Sequence, residues 1–315
     1  MAQVQKLQNI DYLTFDEIAD KILSRLLRES EGSNRVDVVF DLYRDIPIKL
    51  AERELRGVSD AIKNLAAGVK VKQVKNCFYA MVTTNQVLSD LLWNTGKQHR
   101  KKVKDKELHE TSENRCYKIT AESVEEEEGL KSEQEEADTR LLPHVQQAAG
   151  EQRFRSIIVS SEETDVRILC LTFSFSIDVP IFQRRVQQLN ARYVDIGKIA
   201  HVIGQDACKA LPGLHAFTGC DPLTAFSGIG EVKPLKKLLS KKEYQRAFQQ
   251  LGVNWLMSED LLMQLKAFVC DMFCAKNDIS DVNRYIYLVS CAKKGNDHMI
   301  YIHVFIHVES HQLPP

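Results

Sequence analysis

The chain has little of anything that marks a specialised class. It holds 14 glycines and 8 prolines in 315 residues, far too few for a collagen-like or low-complexity chain. Neither charge sign dominates: 42 Lys and Arg against 43 Asp and Glu leave a formal net charge of -1. Attraction to nucleic acid or to a membrane surface must therefore come from local patches. No stretch reaches the roughly 18 apolar residues of a membrane span. The longest apolar segment, Val166 to Phe182, is broken by Arg167 and Asp178. The opening MAQVQKLQNIDY lacks the apolar core of a signal peptide. These absences lead to the expectation of an intracellular chain, nuclear or cytoplasmic, with no membrane partner. Eight cysteines are scattered without framework spacing, so reduced thiols are expected. Cys270 and Cys274 lie one helical turn apart, but no second pair completes a zinc site.

The remaining composition, 44% hydrophobic and 27% charged, is that of a globular protein of one large or two ordinary domains. Residues 14–30 carry Ile18, Ile22, Leu23 and Leu26 at helical spacing, with Thr14 placed to cap the start. VDVVF (36–40) is a short β-branched run that predicts a buried parallel strand ending on Asp41. Helices are predicted over 46–66 and 76–93. The basic residues between Lys97 and Lys106 and the acidic block 122–128 predict a solvated loop or disordered insert over 95–132, with a short strand at Tyr117–Ile119. A helix over 133–149 interrupted or kinked near Pro143, a buried strand at SIIVS (156–160) and a helix from about Asp165 follow. Weaker strands are expected near Ile177–Phe182 and Tyr193–Ile196, and helices from 197 to 290. This order predicts an α/β fold, a parallel sheet flanked by helices with a helical C-terminal part. The expected divisions are 1–94, an insert at 95–132, 133–230 and a helical extension at 231–315.

Acids fall at the mouth of this predicted sheet: Asp41 after VDVVF, Glu135, Glu136 and Asp138, Glu163 and Asp165 after SIIVS, and Asp221 in TGCD. Ligands of open α/β sheets bind at such strand ends. Two-metal phosphoryl chemistry needs several carboxylates from different elements. Asp165 serves equally well as a helix cap. Glu136 and Asp138 are two residues apart, so they face one site only where the helix has not yet become regular. Between two predicted helices, Gly228-Ile229-Gly230 forms a tight turn whose backbone can approach a phosphate or a cation. Lys233, Lys236 and Lys237 follow it and offer charge for a phosphate backbone. The same residues also read as a plain helix–helix turn with solvated lysines. Late in the chain, MIYIHVFIHV places His303 and His307 on one face of a possible strand.

The motif order resembles the flap-endonuclease/XPG superfamily of PIN-like nucleases. VVFD is followed by a basic helix, then E-A-D, a strand with E-T-D, and GCD with GIG beyond. A closer likeness is to mobile-element-associated animal proteins with EEADTR and HALTGCD motifs. Here these read QEEADTRLLPH (134–144) and ALPGLHAFTGCD (210–221). The resemblance implies a PIN-like fold with a helix–three-turn–helix motif and a mobile cap or arch over 42–132. It implies Mg²⁺ or Mn²⁺ on Asp41, Glu136, Asp138, Glu163, Asp165 and Asp221, with Lys49 and Arg53 near the scissile phosphate. It also implies a DNA or RNA partner held by Gly228, Gly230, Lys233, Lys236 and Lys237. The pattern departs from the family at Gln134, at Glu163 and at Leu42. No counterpart of the family's first acidic strand lies upstream of Asp41, so an N-terminally shortened product is expected. Three functions follow: a nuclease-like binding or interaction protein with impaired catalysis, an active divalent-metal-dependent nuclease, or an inert truncated product.

Overall fold

The computed structural model describes residues 14–42, 85–187, 190–219, 226, 230, 232–254, 256–273 and 282–284. The chain divides into two compact units, Met1–Val202 and Ile203–Pro315.

The first unit is mixed α/β. Helix α1, Phe15–Glu29, starts from a full capping box: the Thr14 hydroxyl accepts from the Glu17 N–H, and the Glu17 carboxylate accepts from the Thr14 N–H at 2.7 Å. Its buried stripe is Ile18, Ala19, Ile22 and Leu23. Strand β1, Arg35–Val38, pairs in parallel with β2, Glu107–Ser112. Strand β3, Arg115–Ile119, pairs antiparallel with β2, and β4, Val124–Glu126, antiparallel with β3. Helix α2, Asn85–Gln98, packs on α1 and β2. That side of the sheet is apolar, lined by Leu108 and Ile119, except for Glu110. A second sheet pairs β5, Ile157–Ser160, in parallel with β6, Ile181–Gln187, and β6 antiparallel with β7, Asn190–Asp195. Helices α3, Ala137–Gly150, and α4, Thr164–Phe173, pack on each other, and α3 also touches β5. Helix α5 covers Ile196–Ile203.

Three expectations are corrected here. The expected single parallel sheet is two mixed sheets of four and three strands among the described residues. Among the described residues β1 and β5 each pair with one neighbour, in parallel as expected, but neither is buried along its length; Ile158 of β5 is 50% exposed. The segment 95–132 is not a loop. It supplies β2, β3 and β4, and its basic residues fall at the end of α2, in a 3₁₀ turn over Arg100–Val103 and in the turn before β2. Lys106, for example, donates to the carbonyls of Ser30 (2.7 Å) and Ser33.

The second unit is helical in its described residues: α6, Gln205–Thr218; α7, Val232–Ser240; α8, Lys242–Gln250; α9, Glu259–Phe273. Its core is aromatic. Phe248 and Phe268 meet edge to face at 4.7 Å, with Phe217 and Tyr244 against them. Helices α6 and α8 cross at Gly213, where the Phe248 carbonyl occupies the space a β-carbon would need. Cys116, Cys170, Cys208 and Cys270 are all buried. No helix among the described residues is long and apolar enough to cross a membrane.

Candidate functional site

The acids meet at the N-terminus of α3. Glu136 is its N-cap with extended backbone (φ -88°, ψ 130°), and Asp138 lies in the first turn. This resolves the parity problem, since the pair sits where the helix is not yet regular. Glu163 and Asp165 occupy the equivalent places on α4: Glu163 is the extended N-cap and Asp165 is in the first turn. Helix N-termini favour negative charge, so each sequence E-x-D is well placed in purely local terms. Asp41, just past β1, reaches across: its Oδ1 accepts from the Ala137 N–H at 2.8 Å. The Leu42 N–H donates to the Glu135 carbonyl at 2.8 Å. Strand β1 and helix α3 are thereby tied at the site.

Asp138 is where these charges add. Burial pushes its carboxyl up, and the neighbouring Glu163, Asp165, Asp41 and Glu136 push it further, to about 7. A carboxylic acid that keeps its proton near neutrality beside several carboxylates is a common mark of a functional cluster, and also of a crowded structural one. Among the described residues no three His, Cys, Asp or Glu side chains lie together closely enough to hold a metal ion.

The seat that fixes α3 was not foreseen. The sheet face beneath it is polar. Arg35 is buried and clasps Asp37 through two nitrogens, at 2.9 and 2.8 Å. It also donates to Gln147 at 2.8 Å and pairs with Glu151 at the far end of α3. His144 Nδ1 meets Asp37 Oδ1 at 2.7 Å. Burial pushes Asp37 up, but the bonds from His144 and Arg35 outweigh it and hold the carboxyl at about 2. Arg140, also buried, donates to the Phe40 and Glu113 carbonyls, both at 2.6 Å. An ill-fitting member is His109 on β2. It is buried, neither ring nitrogen has a hydrogen-bond partner, and Glu107 Oε2 stands 3.8 Å from its Nε2. Burial lowers its pKa. On the α4 side, Gln183 is buried and donates to the Ser161 and Glu163 carbonyls at 3.0 and 3.1 Å, while Arg167 donates to it at 2.6 Å. The available sequence signal was the i, i+4 spacing of Arg140 and His144 on one helix face.

In the second unit Gly230 is exposed, and its carbonyl accepts from the Lys233 N–H at 3.3 Å. Lys233 and Lys236 are exposed on α7 and Lys237 is half-buried. Lys49, Arg53, Asp221 and Gly228 lie outside the described residues, as do His303 and His307. Compared with protein-family models, curated proteins and solved structures, the chain gives no match.

Proposed function

We propose that the chain is a PIN-like, nuclease-related protein that binds nucleic acid and whose catalysis is impaired. The observation that carries the reading is the gathering of Asp41, Glu136, Glu163 and Asp165 around Asp138, where a strand end and two helix N-termini supply the acids. This is the motif order of the resembled superfamily. The same carboxylates do not fit a divalent ion as a ligand set, because the described residues offer no group of three. No metal-dependent step is therefore derived. What these residues do by themselves is raise the proton affinity of Asp138 and present negative charge where β1 ends and α3 and α4 begin. Binding is left to the lysines beyond Gly230.

A second reading, an active Mg²⁺-dependent nuclease, is favoured by one observation. The crowding that keeps Asp138 protonated is the kind of repulsion a divalent cation relieves.

One experiment separates the two. A labelled duplex with a single-stranded overhang is followed by anisotropy across a salt series, and by gel for cleavage with Mg²⁺. Binding that falls with salt and no cleavage is the expected result. Replacing Lys236 and Lys237 with alanine should weaken binding and flatten the salt slope by up to about two. Cleavage abolished by Asp138→Asn would establish the active reading instead. Absence of binding even at low salt would overturn both.

A further inference from the structure

We propose that Trp93 and Tyr117 form a stacking platform for the bases of a single-stranded nucleic acid. The proposal rests on the nucleic-acid reading above and gives it a place in the first unit. Trp93 comes from the second half of α2 and Tyr117 from the middle of β3. Their rings are stacked, with centroids 4.1 Å apart and planes at 27°. Both residues are half-buried, so each is anchored in the unit without being sealed from solvent. A pair held by a helix and a strand has little freedom left to lose on binding.

Cations flank the pair. Lys97 Nζ lies 5.4 Å from the Trp93 ring centre. Arg115 is exposed and stands two residues before Tyr117 on the same face of β3. Arg100 and Lys101 are exposed in the short 3₁₀ turn just beyond Lys97. Every base has a π face, so aromatic stacking binds single strands without selecting sequence, while nearby basic groups take the phosphates. Acids oppose this: Glu126 stands opposite Tyr117 on β4, 3.5 Å from Arg115, and Glu113 also acts on Arg115. An exposed pair of this kind is weak, and a phosphate can replace the carboxylate.

Trp93 is one of two tryptophans, so Trp255→Phe leaves it as the sole reporter. A short oligothymidylate added at low salt should quench Trp93 emission over the range in which the anisotropy of the labelled oligonucleotide rises. An abasic strand of equal length carries the same phosphates and should bind about tenfold more weakly, without quenching, because base stacking is absent. Tyr117→Leu should weaken binding by about the same factor, and Tyr117→Phe should preserve it. Glu126→Gln, at the exposed edge, leaves the packing intact and should tighten binding. If the oligothymidylate binds but Trp93 emission does not move, or if the abasic strand binds equally well, the platform is wrong and the nucleic-acid reading stands. If no oligonucleotide binds at low salt, that reading falls and the platform with it.

Discussion

Glu110 should make the first unit lose stability as the solution becomes more alkaline, and the loss can be isolated. The residue sits on β2 opposite Val38 and Tyr117, on the apolar side of the sheet under α2. Its Oε1 has no hydrogen-bond partner, and a β-carbon at Gly96 would lie 3.2 Å from its Oε2. Burial pushes the carboxyl from 4.5 up to about 8. The native state therefore keeps a proton that the unfolded chain releases. The sign follows: stability is full below 4.5, falls as pH rises, and levels off once the folded carboxyl also ionises, at about 8. At 1.36 kcal/mol for each pH unit, the interval from 4.5 to about 8 gives a ceiling of about 5 kcal/mol. Glu110→Gln keeps the shape and removes the titration. Urea unfolding followed through Trp93, in the Trp255→Phe background, gives the midpoint at each pH. The variant should gain on the parent by at least about 2 kcal/mol between about pH 5 and pH 8, at constant m. Asp138 titrates in the same direction, from 3.8 to about 7, but is common to both proteins and cancels. Parallel pH profiles would refute the reasoning: Glu110 would then be solvated or paired.

His109 should act at the acid end. Its folded pKa is lowered, so its contribution is present above the unfolded value of about 6.5 and is lost as pH falls below it. His109→Leu removes both the titration and two unpartnered nitrogens. It should flatten the urea-midpoint profile between about pH 6.5 and pH 5 and raise stability by about 1 kcal/mol; an unchanged acid limb would contradict this. Gly213→Ala should destabilise the second unit, because the new methyl meets the Phe248 backbone carbonyl rather than a movable side chain. Overpacking of about 1–3 kcal/mol or more outweighs the roughly 1 kcal/mol gained in helix propensity. Differential scanning calorimetry should show a lowered transition for that unit, and a raised one would overturn the argument.

What could be read from the sequence was local. The Thr14 cap, the strands that end at Val38 and Ser160, and the acids opening α3 and α4 all depend on neighbours within a few residues. The middle strands could not be read that way. In β2, Glu107, His109 and Thr111 face the polar seat of α3, while Leu108 and Glu110 face α2. With charge on both faces, the alternation that marks a half-buried strand disappears, and ELHETS passes for a loop. The division into two sheets depends on pairings far apart in sequence, which periodicity does not report. Arg140 and Gln183 carry no apolar signal at all, yet both are buried and hold the site's backbone in place.

The polar seat also sets how finely α3 is located. An apolar face is forgiving, because a helix can slide on it at small cost. Arg35 is not, since it reads Asp37 on its own strand together with Gln147 and Glu151 on the last turns of α3. A slip of one residue, about 1.5 Å along the axis with a turn of the face, would take both helix partners out of reach at once. Glu136 and Asp138 lie at the opposite end of the same rod. The fold thus measures the helix from its tail and delivers the tolerance at its head, as a ruler clamped at one end fixes its other mark.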